Sequence, residues 1–306
     1  MGLRISVLGR GAWGSTLEQL WSQGGHGLRA WSRRQGGDPR ELLDDCDLVV
    51  SALAMEGLRP VASLLGPHWP PGLPLLSCSK GIDIETLCTA SGLWRFHLGE
   101  NPIAVLSGPN LADELRRGLP AASVIASANG ELATHLQGAL RTPNLRLYRN
   151  NDPIGTEAAG ALKNVMALAA GVSDGLGLGA NARASLLCRG LAEIGVVLQA
   201  LGGQSATLYG LAGLGDLLAT ATSPLSRNYR CGLLLAEGLH EGEALSRIGA
   251  TVEGTRTARA TLQLARRHGW AVPICTQVVH LLEGISDAPT AVRALMERDP
   301  RAEAEA

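Results

Sequence analysis

Residues 3–24 read LRISVLGRGAWGSTLEQLWSQG, and this stretch decides the fold of the first half of the chain. A short apolar run ends in glycine-rich residues, and a segment with helical spacing follows until it stops at glycines. In a strand, turn and helix of this kind, glycines let the backbone approach a pyrophosphate at the helix N-terminus. The pattern predicts a dinucleotide-binding turn at Gly9, Gly11 and Gly14, with an ordinary glycine turn as the alternative.

Further apolar runs alternate with helical or loop stretches through the first half of the chain, in the manner of βαβ units. The predicted strands cover residues 3–8, 28–31, 47–52, 74–78, 103–106 and 122–127. After Asp152-Pro153, an N-cap followed by a first-turn proline, Ala- and Leu-rich segments with helical periodicity take over. We therefore predict an α/β protein with a Rossmann-type, mostly parallel sheet followed by an all-helical domain. The predicted boundaries are residues 1–150 for the NADP(H)-binding domain, 151–300 for the helical substrate domain and 301–306 for a frayed tail.

The composition of the whole chain argues against several classes of protein. A net charge of −1 and the lack of a Lys/Arg-rich run give no footprint for nucleic acid or an anionic membrane. Neither a membrane-spanning stretch nor a secretory signal is recognisable. The six cysteines are scattered without a C-x-x-C pair, and no histidine belongs to a zinc motif. We expect a cytoplasmic protein that uses no metal.

Lysine is nearly absent from the chain. Of the 27 basic residues, only Lys80 and Lys163 are lysines, and the others are arginines. A guanidinium stays charged, whereas a desolvated ammonium can exchange a proton near neutral pH. The two lysines are therefore candidates for chemistry, although a codon bias toward arginine would also leave few lysines by chance.

The residues after the second predicted strand bear on the choice of dinucleotide. An NAD-selective site places an acidic residue there to bind the ribose hydroxyls. This chain instead reads Trp31-Ser32-Arg33-Arg34, which offers a hydroxyl and two guanidinium groups. The sequence favours NADP(H) over NAD(H), with Arg33 and Arg34 binding the 2′-phosphate. Two solvated surface arginines are the alternative.

Two more predicted strands end in loops at the same edge of the sheet. Lys80 lies in Ser79-Lys80-Gly81, where ligands bind in open α/β sheets. The loop Ser107-Gly108-Pro109-Asn110 follows the next strand and could offer backbone N–H groups to an anion. Taken alone, this second loop could equally be a simple turn.

Lys163 lies inside the first helix of the second half. Gly160, Asn164 and Ala167 share its side of the helix, so small neighbours leave room for a ligand. Desolvation would lower the pKa of a lysine on such an apolar helix toward the range useful for proton transfer. The alternative is a lysine whose ammonium reaches solvent.

Two later segments complete a candidate anion site. Asp216 follows Gly213-Leu214-Gly215 and could hold an ammonium, while Ser226, Arg227 and Asn228 offer a hydroxyl, a guanidinium and an amide in succession. Arginine suits bidentate recognition of phosphate. Each segment alone could be an ordinary loop.

Together these blocks resemble the NAD(P)-dependent glycerol-3-phosphate dehydrogenases of bacterial type, over nearly the whole chain. The similarity rests on several separated motifs in a fixed order, of which the Lys-Asn and Ser-Arg-Asn blocks are the most specific. The motifs are GRGAWGS, SKG, LSGPN, ALKNVMALAAGVSDGLGLGANARA, GLAGLGDLLATATSPLSRNYRCG and VEGTRTA.

The resemblance implies that Lys163 is the proton donor and acceptor and that Lys80 contacts both cofactor and substrate. The substrate pocket that it implies is completed by Gly108, Asp216, Ser226, Arg227 and Asn228. The NADP(H) contacts that it implies are Trp13, Arg33, Arg34, Ala112, Arg227 and Glu253. Asn110 stands where many relatives carry Ser or Thr, and we place it in the substrate pocket. The segment between the second and third strands is also shorter than usual.

The resemblance also implies a reaction. Hydride passes from NADPH, or NADH, to dihydroxyacetone phosphate, giving sn-glycerol 3-phosphate for glycerophospholipid synthesis. A homodimer follows by analogy with the family. Two other readings stay open, namely a ketopantoate-reductase-like enzyme with the same two-domain architecture and a non-catalytic NADPH-binding protein.

Overall fold

The computed structural model describes residues 2–299. Within this range seven strands form one sheet in the order β2-β1-β3-β4-β5-β6-β7. The strands are β1 (Arg4–Leu8), β2 (Gly27–Trp31), β3 (Leu48–Ser51), β4 (Leu75–Ser77), β5 (Ile103–Ser107), β6 (Ala121–Ala126) and β7 (Leu145–Asn150). Neighbouring strands pair in parallel except β5 and β6, which are antiparallel. The predicted mostly parallel sheet is confirmed.

Apolar side chains cover both faces of this sheet, which explains why its central strands read as continuous apolar runs. On one face Val7 packs with Trp21, which is fully buried. On the other face Leu8 packs with Val49 and with Trp94. Successive residues of β1 thus supply opposite cores, as the alternation of side chains along a strand requires.

Strand β7 was not predicted from the sequence. It pairs in parallel with β6 at the edge of the sheet and reads LRLYRN. Leu145 and Leu147 point into the core, whereas Arg146, Tyr148 and Arg149 are exposed. Two apolar residues among charged ones give a weak strand signal, and charged side chains of this kind are common on edge strands.

The described residues after Asn150 form helices and turns and contain no strand, as the sequence predicts. Across the whole described range the helices are α1 (Ala12–Gln23), α2 (Met55–Leu65), α3 (Ala90–Leu98), α4 (Ala112–Arg116), α5 (Gly130–Leu140), α6 (Pro153–Gly175), α7 (Gly179–Ala200), α8 (Ser205–Leu208), α9 (Asp216–Ala221), α10 (Arg227–Ala236), α11 (Glu241–Ile248), α12 (Glu253–His268), α13 (Pro273–Leu282) and α14 (Ala288–Met296). None of these helices combines the length and the apolar character that crossing a membrane requires.

Helix α6 is the centre of the second half. Asp152 caps it, with Oδ1 accepting a hydrogen bond from the Gly155 N–H at 2.8 Å. Further along, α6 crosses α10 so closely that a Cβ on Gly232 would lie 2.0 Å from the Leu168 carbonyl oxygen. The crossing fixes the direction of α10 and the position of its N-terminus. A division into two domains near residue 150 stays a prediction, and the predicted tail at 301–306 lies outside the described residues.

Candidate active site

The glycine turn between β1 and α1 has the backbone geometry that a dinucleotide site requires. Gly9 has φ +102°, a left-handed conformation that favours glycine, and a Cβ on Gly14 would lie 1.9 Å from the Gly9 carbonyl oxygen. A Cβ on Gly11 would meet no atom within 4 Å, and no side chain caps the helix that begins after it. The first N–H groups of α1 are thus left to an outside anion, so the turn fits a pyrophosphate.

Glu253 adds a carboxylate to this edge of the sheet. It begins α12, and its Oε1 accepts a hydrogen bond from the N–H of Met55, the first residue of α2, at 3.2 Å. Its Oε2 is buried and has no hydrogen-bond partner within residues 2–299. Burial raises the pKa of Glu253, while the positive charge of Arg227 opposes that change. An unpartnered oxygen of this kind can accept a hydrogen bond from a bound ligand.

The other predicted cofactor residues lie around the same edge. Arg33 and Arg34 follow β2 and are exposed. Trp13 is in the first turn of α1, and Ala112 begins α4, which packs against α1. The glycine turn, Glu253 and these side chains together can hold a dinucleotide along the carboxyl ends of the strands, and we assign their individual contacts only as a proposal.

The loop after β5 meets Lys80 directly. The ammonium of Lys80 donates a hydrogen bond to the Gly108 carbonyl oxygen at 3.0 Å. Gly108 has φ +135°, and a Cβ there would lie 3.0 Å from the Cα of Ser123. Next to it, Asn110 accepts a hydrogen bond from the Ser123 hydroxyl. The Nδ2 of Asn110 is buried without a partner in the described chain, so it keeps a donor to offer.

The two lysines of the chain meet at one carboxylate. Lys163 Nζ lies 2.9 Å from Asp216 Oδ1, and Lys80 Nζ lies 2.5 Å from Asp216 Oδ2. The side chain of Lys163 is 9% exposed and that of Asp216 is 2% exposed. Residues 83 positions apart in the sequence are thus brought together by an aspartate from a third segment. The sequence predicts that Asp216 holds one ammonium, whereas in the structure it holds two.

Burial and neighbouring charges shift the pKa values of both Lys163 and Asp216. Burial, together with the positive charges of Lys80 and Arg227, lowers the pKa of Lys163 to about 8, although Asp216 acts to raise it. For Asp216, burial acts to raise the pKa, but the two ammonium groups outweigh burial and lower it. Asp216 is therefore a carboxylate at neutral pH, and Lys163 is an ammonium close to its titration range.

A turn of π-helix delivers Asp216 to this position. Residues 211–215 form the turn, and a Cβ on Gly213 would lie 2.0 Å from the Leu208 carbonyl oxygen. Such turns are rare and are frequent at functional sites. Helix α9 then places Thr220 one turn beyond Asp216, where its hydroxyl lies 2.6 Å from Lys163 Nζ. Thr220 was not among the predicted site residues, although its i, i+4 spacing from Asp216 was a usable signal.

Hydrogen bonds between amide groups join α6, α10 and α12, which carry the remaining predicted site residues. Asn228 Nδ2 donates to Asn164 Oδ1 at 2.9 Å, and Asn228 Oδ1 accepts from the Gly254 N–H at 2.9 Å. Each of these residues directly follows a predicted site residue, namely Lys163, Arg227 or Glu253. The amide chain therefore holds three site residues from α6, α10 and α12 relative to one another. Asn164 and Gly254 were not among the predicted site residues.

Two sequence interpretations change in detail. Ser226 is the N-cap of α10, with its hydroxyl accepting a hydrogen bond from the Tyr229 N–H at 3.2 Å. The space beside Gly160 is already occupied, because a Cβ there would lie 2.7 Å from the Ser107 hydroxyl and 3.8 Å from the side chain of Lys80. The small residue thus admits Ser107 and Lys80 to the helix surface, so the expectation that Gly160 leaves room for a ligand is wrong. Within residues 2–299, no three His, Cys, Asp or Glu side chains are grouped to hold a metal ion.

A glycine turn suited to a dinucleotide at the carboxyl edge of the sheet, together with a buried lysine held by an aspartate, is typical of an NAD(P)-linked dehydrogenase. Two family models match the chain, described as the NAD-dependent glycerol-3-phosphate dehydrogenase N-terminus, over residues 35–133, and C-terminus, over residues 152–293. The chain belongs to the NAD-dependent glycerol-3-phosphate dehydrogenase family.

Individual relatives agree with this assignment. The chain is 54% identical over 303 residues to the glycerol-3-phosphate dehydrogenase [NAD(P)+] of Synechococcus sp. (strain RCC307), covering 99% of this chain and 100% of that one. The crystal structure of glycerol-3-phosphate dehydrogenase from Coxiella burnetii superposes with a TM-score of 0.93 at 33% identity, covering 97% and 99% of the two chains. A ketopantoate reductase from Ralstonia eutropha, at 14% identity and a TM-score of 0.61 over 95% and 100% of the chains, shares the fold alone.

Proposed function

We propose that the chain catalyses the reversible reduction of dihydroxyacetone phosphate to sn-glycerol 3-phosphate with NADPH or NADH. The observation that carries this proposal is the buried cluster of Lys163, Asp216 and Lys80, in which Lys80 follows β4 at the sheet edge that carries the glycine turn. The name of the Synechococcus relative, which is over half identical along its full length, supports the same reaction and either dinucleotide.

Lys163 is the proposed acid and base. Reduction of a ketone leaves an alkoxide that needs a proton, and oxidation of an alcohol needs a group to take one. With a pKa of about 8, Lys163 can do both near neutral pH. Lys80, held on the other oxygen of Asp216, adds positive charge where the alkoxide forms. The bound nicotinamide supplies or accepts the hydride.

The N-terminus of α10 is the proposed phosphate site. Because Ser226 caps only the Tyr229 N–H, the N–H groups of Arg227 and Asn228 have no partner inside the helix. The exposed guanidinium of Arg227 lies at the same end. A helix N-terminus and a guanidinium together favour a dianionic phosphate. Gly108 and Asn110 offer further polar groups on the sheet side of the pocket.

The proposed dinucleotide contacts follow the edge of the sheet. Gly9, Gly11 and Gly14 receive the pyrophosphate, and Arg33 and Arg34 bind the 2′-phosphate of NADP(H). Trp13, Ala112, Arg227 and Glu253 complete the set that we propose, with the unpartnered Oε2 of Glu253 as a hydrogen-bond acceptor. We also propose that Lys80 contacts both the dinucleotide and the substrate.

The direct test follows the loss of NADPH absorbance with purified protein and a panel of carbonyl compounds. We expect turnover of dihydroxyacetone phosphate and poor turnover of dihydroxyacetone, because the phosphate supplies binding energy. The Arg227→Ala variant should raise KM for dihydroxyacetone phosphate more than it raises Kd for NADPH. Preferred turnover of ketopantoate would instead favour the ketopantoate-reductase-like alternative.

Removal of Lys163 separates catalysis from dinucleotide binding. Lys163→Ala should lower turnover by orders of magnitude with NADPH affinity nearly intact, and Lys163→Arg should fail almost as badly because an arginine does not exchange protons. Turnover close to that of the unmodified protein would remove Lys163 from its proposed role. Binding of NADPH without any turnover by the unmodified protein would favour the non-catalytic alternative.

We further propose a cytoplasmic homodimer whose product feeds glycerophospholipid synthesis. The support for these statements is membership of the family, not an individual residue. Light scattering of the purified protein tests the dimer, and growth of a deletion strain with and without glycerol 3-phosphate tests the metabolic role.

A further inference from the structure

A buried carboxylate joins α6 to the sheet close to the two lysines. Glu157 is 4% exposed. Its Oε1 accepts hydrogen bonds from the Ser91 N–H at 2.9 Å and from the Ser77 hydroxyl at 3.4 Å, and its Oε2 accepts one from the Ser91 hydroxyl. A single side chain of α6 is therefore bound to both β4 and the first turn of α3.

The hydrogen-bond donors around Glu157 are hydroxyl and amide groups, so hydrogen bonding rather than an ion pair satisfies this carboxylate. Burial raises the pKa of Glu157, which means that the charged form is disfavoured where it stands. An apolar side chain would fill the same place without that cost. Directional hydrogen bonds, unlike apolar contacts, also fix the position of α6 along its own axis.

The bound residues precede the two lysines by only a few positions in the sequence. Ser77 ends β4 three residues before Lys80, and Glu157 lies six residues before Lys163, about 9 Å along the helix axis. Between them, Gly160 packs so closely that a Cβ there would lie 2.7 Å from the Ser107 hydroxyl and 3.8 Å from the side chain of Lys80. Sliding of α6 against the sheet would therefore move Lys163 relative to Lys80 and to their shared carboxylate.

We propose that Glu157 is a positioning residue for the catalytic cluster: its hydrogen bonds to Ser77 and Ser91 set the register of α6, so that Asp216 can hold both lysines. This inference rests on the proposed function of Lys163. A misplacement of about 1 Å in an active site can lower the rate by about a hundredfold.

Glu193 provides a matched control for a purely structural carboxylate. It is 5% exposed, and its two oxygens accept hydrogen bonds from the N–H groups of Ile274 and Cys275, each at 2.8 Å. Burial raises the pKa of Glu193 as it does that of Glu157. Both side chains thus bind the first turn of a helix, but the hydrogen bonds of Glu193 join only α7 to α13.

The experiment compares Glu157→Gln with Glu193→Gln. We expect both variants to change the thermal midpoint by a few degrees and to keep Kd for NADPH, measured by fluorescence, within about threefold. Only Glu157→Gln should lower kcat for dihydroxyacetone phosphate, by about 10- to 100-fold. It should also shift the alkaline fall of kcat, because displacement of Lys163 changes both its desolvation and its contact with Asp216.

The milder variant Ser91→Ala, which removes a hydroxyl donor and keeps the carboxylate, covers the case in which Glu157→Gln does not fold. It should lower kcat and shift the alkaline fall in the same direction, to a smaller extent. The inference is overturned if either variant loses stability but keeps the kcat and pH profile of Glu193→Gln. If the unmodified protein does not reduce dihydroxyacetone phosphate at all, the proposed function fails instead, which is a separate result.

Discussion

Asp216 divides its two oxygens between two lysines, and this division controls how Lys163 titrates. Lys80 satisfies one oxygen, so the carboxylate is shared and stabilises the Lys163 ammonium less than an exclusive partner would. Burial then dominates and lowers the pKa of Lys163 to about 8. A lysine with an ordinary pKa would give up its proton to few bases at neutral pH.

The direction of the pH dependence follows from this titration. Ketone reduction needs the ammonium, so kcat for reduction should be constant below about pH 8 and fall above it; alcohol oxidation needs the amine and should show the opposite trend. Thr220→Val removes a hydrogen bond to the ammonium and should move both changes to lower pH. Steady-state rates across about pH 6 to 10 check this, and parallel trends in the two directions would contradict it.

The two arginines after β2 test the choice of dinucleotide. Replacing Arg33 and Arg34 with Ala should weaken the binding of NADPH by about 2–4 kcal/mol and leave the binding of NADH nearly unchanged. The reason is that only NADPH carries the 2′-phosphate. Dissociation constants for both dinucleotides, measured by fluorescence, give the answer. Arg10→Ala is a suitable control, since Arg10 is also exposed near the turn but pairs with Glu18. An unchanged preference would refute the assignment.

The candidate site predicted from the sequence includes charged residues and neutral ones such as Asn110 and Asn228, but it omits Thr220, Asn164 and Gly254. Lys80 and Lys163 are conspicuous by composition, and a buried charge must have a partner, which pointed to Asp216. Thr220 and Gly254 lie in helices and belong to no charged motif, although Thr220 is spaced i, i+4 from Asp216. Their roles exist only because helices cross at particular places, and that geometry is set by packing across the whole molecule.

At the scale of secondary-structure elements, the crossing of α6 and α10 should be sensitive to a single methyl group. Gly232→Ala would place a Cβ against the backbone of α6 and should lower the free energy of unfolding by about 1–3 kcal/mol. Gly138→Ala, in α5, has no atom within 4 Å of the new Cβ and should raise it by about 0.5–1 kcal/mol. Denaturant titration measures both changes, and equal effects would contradict this account of the crossing.

Most strands could be predicted from the sequence, but β7 could not. Central strands such as β3 are buried on both faces, so their runs of valine and leucine stand out. Strand β7 exposes Arg146 and Arg149 at the sheet edge and has no such run. Its pairing depends on the neighbouring β6, which local sequence does not reveal.

For the molecule as a whole, α6 packs both against the sheet and in the core of the helical half. Its first turns contact the sheet edge, and its later turns lie in the main core of the helical half. Beside it, Ile82 and Leu87 from the loop after Lys80 pack with Ala161 and Leu264. Such shared packing should make the sheet and the helices unfold together.

Thermal unfolding with and without NADPH tests this coupling. We expect one cooperative transition that moves as a unit, with about 2.7 kcal/mol of added stability when NADPH is at one hundred times its Kd. Circular dichroism and calorimetry should give the same midpoint. Two transitions, of which NADPH shifts only one, would contradict the coupling and favour independent domains divided near residue 150.

The near absence of lysine has a practical consequence for studies in solution. Apart from the amino group at the start of the chain, Lys80 and Lys163 are the amines that an acylating reagent can meet, and Lys163 is the less exposed of the two. Acylation needs the neutral amine, and the lowered pKa of Lys163 supplies more of it near neutral pH, so mild acylation should modify both lysines. Mass spectrometry of the modified peptides would then report pocket occupancy, with the arginine-rich exterior contributing no background.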